Sequence, residues 1–353
     1  MPSGRWLLAA VPLALVVGFV WPERHTLVFF VSVLAILPLA AAIGQATEAL
    51  ASRLGGGIGG LLNATFGNAA ELIIGALALR EGHVDLVKAS LTGSIIGNVL
   101  LVFGLCAFVG GIKHPVQRFN RTAAGLGTTM LLLSAIGLTV PAVFHFLART
   151  SGSAADLTLD TEIAVVLLVT YVASLVFTLK THRNLYASDK DERSTESIGP
   201  ALGMLVGATI GVAWMSELLV GSVAETARAL GMSELFIGVV IVAIIGNAAE
   251  HYSAVVMAAR NQMDVAISIA VGSSTQIALF VAPTLVFLSY LIAPAPMDLL
   301  FTVFELVAVG IAVLTITLIA HDGETHWMEG VQLLAVYVIL AMGFYFLPVR
   351  AFR

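Results

Sequence analysis

Gly67-Asn68-Ala69-Ala70-Glu71 and Gly246-Asn247-Ala248-Ala249-Glu250 are one pentapeptide written twice. Each copy sits inside a long apolar run and places a carboxylic acid and an amide where a membrane helix ordinarily has neither. An ionised acid at the centre of a bilayer helix costs about 2.5–3.5 kcal/mol even on lenient insertion scales, so such residues are rare and usually functional. The remainder of the chain reads as a scaffold that brings the two copies together.

The surroundings are strongly apolar. Of the 353 residues, 59% are hydrophobic and 11% charged, with a mean hydropathy of +0.99. Soluble domains carry about 25% charged residues, so most of this chain is expected to be solvated by lipid. Runs long enough to span a bilayer, roughly 20 residues each, fall near 5–20, 26–51, 57–80, 84–109, 121–148, 160–180, 200–228, 233–259, 264–292, 298–320 and 327–348, eleven in all. The first run reads as a retained helix rather than a signal peptide, because Trp21-Pro22-Glu23-Arg24 follows it instead of a small-residue cleavage site. The net charge of −5, with no Lys/Arg cluster interleaved with aromatics, gives no nucleic-acid signal. Cys106 is the single cysteine, which excludes a disulfide framework; it reads as a small buried hydrophobe.

The repetition extends beyond the pentapeptides. Residues 68–104 align without a gap on 247–283, so Asp85 falls on Asp264 and Gly93-Ser94 on Gly272-Ser273. Upstream, Gly44-Gln45-Ala46-Thr47-Glu48 resembles Gly221-Ser222-Val223-Ala224-Glu225. The expected architecture is therefore an all-α polytopic membrane protein in four parts: helix 1 (residues 1–25), a first five-helix repeat (26–180), a charged linker (181–199) and a second five-helix repeat (200–353). Five is odd, so the second repeat enters the bilayer from the opposite side. Inverted repeats of this kind place a transport site at the midplane. With the N-terminus in the cytoplasm, inner segments hold ten Lys/Arg and outer segments seven. That bias sets the expected orientation, in the inner membrane of a cell, with the linker cytoplasmic.

Six acids fall within the spans more than two residues from either end: Glu48, Glu71, Glu217, Glu225, Glu250 and Glu305. No Lys or Arg lies near the middle of any span, so buried acids there must hold a proton or a cation. A protein alternating between those two states exchanges protons for cations. Asn68 with Glu71, and Asn247 with Glu250, are three apart and share a helix face. Two carboxylates plus amide oxygens make a hard all-oxygen site of the kind Ca²⁺ takes, and Gly67 and Gly246 permit close approach or local unwinding. Ser94, Asn98, Ser273 and Gln276 on the following helices complete the candidate ligand set. Asn98 and Gln276 are the foremost of these, since small hydroxyls in membrane helices also serve as packing glue. Glu48, Glu217, Glu225 and Glu305 are candidates for a path to water, with end-capping as the competing role for Glu48 and Glu225; Glu217, whose counterpart before Glu48 is Ala40, would give one half an extra proton or cation site. His251 points about 100° away from Glu250 on a helix, which favours packing or hydrogen bonding over metal ligation. His321-Asp322-Gly323-Glu324-Thr325-His326 reads as a solvated loop, and no Ser-His or HExxH arrangement suggests an enzyme.

With these residues in view, the chain resembles the Ca²⁺/H⁺ exchanger (CAX) family of the cation/Ca²⁺ exchanger superfamily. The resemblance rests on the residues at 67–73 and 246–251. It rests also on Leu61-Leu62-Asn63-Ala64-Thr65, on Gly272-Ser273-Ser274-Thr275-Gln276-Ile277 and on 322–330. It implies eleven helices and a Ca²⁺/H⁺ antiporter in which Glu71 and Glu250 bind Ca²⁺ and protons alternately. Neighbouring polar side chains and carbonyls would be ligands, and the ions would be cargo with no cofactor. Relatives often carry an acid where Ala40 stands here. Sodium-coupled relatives have Thr-Ser-x-Pro-Glu-like signatures in place of Asn68 and Asn247, which argues against Na⁺/Ca²⁺ exchange; Mn²⁺/H⁺ exchange stays as an alternative. An intramembrane metal enzyme using Glu250 and His251 would need chemistry in one half only, whereas the signature is symmetric. A passive channel would need no titrating acids.

Overall fold

The computed structural model describes residues 8–148, 154–182 and 198–347. Most of the charged linker and the chain ends therefore lie outside the described residues. Twelve helices make up almost all of the described chain: α1 (Ala10–Val20), α2 (His25–Phe66), α3 (Ala69–Arg80), α4 (Val84–Lys113), α5 (Arg121–Ala148), α6 (Ala154–Val176), α7 (Ile198–Leu230), α8 (Glu234–Gly246), α9 (Ala248–Ala259), α10 (Met263–Ile292), α11 (Val303–Ala320) and α12 (Trp327–Phe346). Helix and closed barrel are the only ways to satisfy every backbone group in lipid.

Eight helices among the described residues are long and apolar enough to cross a bilayer, and the bent pair α8–α9 makes up to nine. The expected count of eleven is not reached on these terms. Helix 1 is described only over the 11 residues of α1. The run at 57–80 does not form one separate helix either. Its first part continues α2, which passes through Gly55-Gly56-Gly57 as a single 42-residue helix, and its second part is the 12-residue α3. Glycine weakens a helix in water by about 1 kcal/mol, but an apolar medium penalises any break that leaves backbone groups unpaired.

Equivalent positions of the repeat adopt equivalent geometry. Helix α3 ends at Gly82 (φ +82°) and α9 at Asn261 (φ +60°), and the alignment that pairs Asn68 with Asn247 pairs these two residues. Glycine and asparagine are the residues that accept the left-handed conformation closing a helix. Both α4 and α10 contain a π-helical turn at matching places, Gly97–Val102 and Ile277–Val281. A further π turn, Ile237–Val242, lies within α8. Such turns concentrate at functional sites, and nothing in the residue pattern announced them.

Contacts between loops fix which ends lie together. At one end His83 faces Glu234 at 3.5 Å, Lys88 Nζ donates to Asp298 at 2.9 Å, and the Leu299 N–H donates to Asp160. At the other, the two-residue strands β1 (Gln117–Arg118) and β2 (Glu324–Thr325) pair antiparallel, with Gln117 opposite Thr325. There Gln117 also donates to the Ala258 carbonyl, and the Asn120 N–H donates to Asp264. Counting α8–α9 as one span, the chain crosses six times between β1 and β2, and an even number returns it to the same side. The strands were not expected: two residues in a loop carry no periodic signal.

The most enclosed spans are α4 and α10, with 72% and 56% of their apolar windows buried; α6 has only 17%. α4 and α10 therefore form the centre, with α5 and α6 on the lipid-facing flank.

Candidate functional site

Both pentapeptides interrupt helices. Asn68 separates α2 from α3, with φ −102° and ψ 22°. Asn247 separates α8 from α9, with φ −94° and ψ 7°, and the helix axis turns by 62° there. Each break presents its asparagine side chain to the central helices and sets its glutamate in the first turn of the following helix. A helix N-terminus favours negative charge.

The central helices meet these breaks with a polar network. Asn68 Nδ2 donates to Gln276 Oε1 at 2.6 Å. Asn247 Nδ2 donates to Ser94 Oγ at 2.9 Å and to the Ala243 carbonyl. Asn98 Nδ2 donates to Ser273 Oγ at 3.1 Å, and its Oδ1 meets His251 Nε2 at 2.9 Å. Asn68, Asn247, Ser94, Asn98 and Ser273 are all buried. The network ties α3 to α10 and α9 to α4, so each half's signature is held by a central helix of the other half. All eight expected ligand residues gather here: Glu71, Glu250, Asn68, Asn247, Ser94, Asn98, Ser273 and Gln276. His251 joins as a hydrogen-bond partner of Asn98, the role its helical angle favoured over metal ligation.

Three oxygen atoms in the cluster are enclosed yet accept no hydrogen bond: Glu71 Oε2, Glu250 Oε2 and Asn68 Oδ1. A buried polar atom left unpaired costs about 1–3 kcal/mol. The neighbouring donors are spent elsewhere, on Gln276, Ser94 and Asn98, and among the described residues no Lys or Arg pairs with either glutamate. The glutamates themselves are only partly buried, so the cluster is not sealed. Glu71 lies within electrostatic reach of Glu250, and Ser273 is in hydrogen-bonding reach of Glu250. Oxygens with free lone pairs, grouped and without a basic neighbour, suit a proton or a hard cation. Among the described residues no group of three or more His, Cys, Asp or Glu forms a conventional metal site; the other oxygens of the cluster belong to side-chain amides and hydroxyls.

The four expected pathway acids lie apart from this cluster. Glu48 is exposed on α2. Glu217 pairs with Arg80 at 3.1 Å, and Glu225 with Arg228 at 2.6 Å. Glu305 is buried at the start of α11, where Oε2 accepts the Thr302 N–H and Oε1 the Thr92 hydroxyl. That is a reciprocal capping box with an added interhelical bond. Arg80 as the partner of Glu217 was not foreseen, since the two are 137 positions apart. His321-Asp322-Gly323-Glu324 runs into β2, with Glu324 paired to Arg118 at 3.1 Å.

Comparison with known proteins places this geometry. The model of the sodium/calcium exchanger protein family matches residues 24–180 and 200–346. The Ca²⁺/H⁺ antiporter ChaA of Bacillus subtilis (strain 168) is 48% identical over 347 residues, covering 96% of this chain and 97% of its own. The Ca²⁺/H⁺ antiporter of Synechocystis sp. (strain ATCC 27184 / PCC 6803 / Kazusa) is 44% identical, covering 97% and 96%. The solved structure of native YfkE superposes with a TM-score of 0.85 at 46% identity, over 97% of this chain and 98% of that one. Two family-model matches on either side of the charged linker, and relatives aligned along nearly their whole length, lead to one statement: this multi-pass membrane chain belongs to the sodium/calcium exchanger protein family.

Proposed function

We propose that the chain is a Ca²⁺/H⁺ antiporter, a transporter rather than an enzyme, in which Glu71 and Glu250 bind Ca²⁺ and protons in alternation. The observation that carries this reading is the set of enclosed, unpaired oxygens on Glu71, Glu250 and Asn68. Ca²⁺ requires six to eight oxygens. The carboxylates supply charge, and Asn68, Asn247, Ser94, Asn98, Ser273 and Gln276 supply neutral donors around them. Relatives named Ca²⁺/H⁺ antiporters, at 48% and 44% identity, support the choice of ions.

Coupling follows from electrostatics. Two bare carboxylates in a low-dielectric centre are costly, so an empty, deprotonated site resists reorientation. Ca²⁺ or two protons remove that charge and allow it. The helices proposed to move are α2 and α7, which pack along one another and carry neither signature glutamate. In the orientation inferred from Lys/Arg bias, the linker end is cytoplasmic, the protein sits in the cell membrane, and Ca²⁺ is exported. Residues 26–180 and 200–353 act as the two inverted halves, with 1–25 outside them.

The test is ⁴⁵Ca²⁺ uptake into everted vesicles under an imposed pH gradient. Glu71→Gln and Glu250→Gln should each abolish uptake while leaving the protein in the membrane at normal amounts. Uptake that survives both substitutions, or that follows Na⁺ instead of the pH gradient, refutes the reading.

A further inference from the structure

Arg80 closes α3, a helix that carries a signature glutamate, and its guanidinium reaches Glu217 on α7 at 3.1 Å and Glu81 at 3.3 Å. Leu77, Arg80 and Glu81 on one side, and Glu217, Val220 and Gly221 on the other, line a small cleft between the two helices. The bridge therefore joins a helix of the ion-binding core to a helix proposed to move.

The repeat makes this pairing one-sided. Its counterpart in the other half would join α9 to α2. The position aligned with Arg80 is Ala259, and the one aligned with Glu217 is Ala40. Ala40 is buried and apolar. The α9–α2 seam thus carries no charge pair at the corresponding place. In an inverted-repeat transporter the two limiting states exchange the environments of the halves. A contact present in one half and missing in the other must then favour one state. A shift of α7 by a single helical turn, about 5.4 Å, separates Arg80 from Glu217 completely.

We propose that Arg80 and Glu217 form a state-selective latch, which holds α7 against α3 in the conformation seen here and has no counterpart at the opposite end. The latch rests on the exchange reading only for the identity of the moving helices. Its strength is suited to bias rather than to locking. Both side chains are substantially exposed, 47% and 61%, and exposed pairs are weak. Losing the pair should shift the ratio of the two states by roughly two- to fivefold, leaving the ion site intact.

The experiment is a distance measurement by pulsed EPR on the full-length protein in lipid nanodiscs, with Cys106→Ala as background. Spin labels replace Leu202 on α7 and Ile112 on α4, both exposed on the half of the molecule away from the latch. Arg80→Ala and Glu217→Ala should each move population from the main distance to a second one. The charge swap, Arg80→Glu with Glu217→Arg, should restore the original distribution. Unchanged distributions in the single variants, or a swap that behaves like the single variants, overturn the latch. The distances require no ion gradient, so they are read independently of Ca²⁺/H⁺ exchange. Failed exchange by the unsubstituted protein refutes the transport reading alone.

Discussion

Gly246 of the second signature lies directly against Glu71 of the first. A Cβ placed on Gly246 would stand 3.0 Å from Glu71 Oε1 and 3.3 Å from Glu71 Cδ. The glycine of the second copy thus makes room for the acid of the first. Gly246→Ala should push the Glu71 carboxylate out of place. Overpacking of this kind typically costs about 1–3 kcal/mol, and here the strain falls on a group that must bind cargo. The expected result is weakened Ca²⁺ transport with the protein still folded. Gly97→Ala, on α4 with open space at the Cβ position, should transport normally in the same vesicle assay.

Gly93 and Gly272 are equivalent by sequence and unequal by structure. A Cβ on Gly93 would sit 2.5 Å from Val239 Cα, whereas one on Gly272 meets nothing within 4 Å. Gly238 makes the same seam tight from the other side, with Ala89 Cβ at 2.6 Å. Small residues permit this approach of α4 and α8, and the approach brings Ser94 to Asn247. Gly93→Ala should therefore reduce folded protein recovered in detergent, and Gly272→Ala should not. Size-exclusion profiles with a fluorescent fusion would show the difference.

The centre of the site was legible because two features coincided: an acid costly to bury, and its exact duplication. Those singled out Glu71, Glu250 and their asparagines as candidates without any knowledge of packing. The flanking acids were not legible in the same way. Glu48, Glu217 and Glu225 lie in apolar stretches, but their helices turn them outward, and a pairing such as Arg80 with Glu217 depends on where α7 packs. The surroundings of Glu305 were not legible either, because the Thr92 hydroxyl that it accepts from is 213 positions away. The repeat alignment pairs Gly82 with Asn261, but nothing in it singled out their left-handed backbone, and the continuity of α2 across three glycines ran against local propensity.

The capping role of Glu305 separates stability from transport. Glu305→Ala removes the acceptor of the Thr302 N–H and leaves the Thr92 hydroxyl without its carboxylate. Loss of a helix cap costs about 0.5–2 kcal/mol, and the orphaned polar groups add to it. The melting temperature in detergent should fall. Transport per folded molecule should be unchanged in Glu305→Gln, whose amide oxygen can still accept from Thr92. A Gln variant that folds normally yet fails to couple uptake to the pH gradient would place Glu305 on the proton path instead.

His83 offers a pH-dependent brace away from the ion site. It occupies the N-cap position of α4 in the loop after α3, and its ring faces Glu234 at the start of α8, at 3.5 Å. The Glu234 carboxylate raises the His83 pKa above the ordinary histidine value, first through the hydrogen bond and then through its charge, against an opposing effect of burial. A raised folded-state pKa means that folding is favoured by protonation. The contribution is fully present below the ordinary value of about 6.5 and disappears as pH rises through the raised value. The melting temperature of the native protein should therefore exceed that of His83→Gln at acidic pH. The gap should close on the alkaline side of neutrality. Thermal melts of both proteins in the same detergent, from acid to mildly alkaline buffer, measure this gap directly. A gap that is constant with pH, or that widens with it, would show that His83 stabilises the loop by packing rather than through its charge.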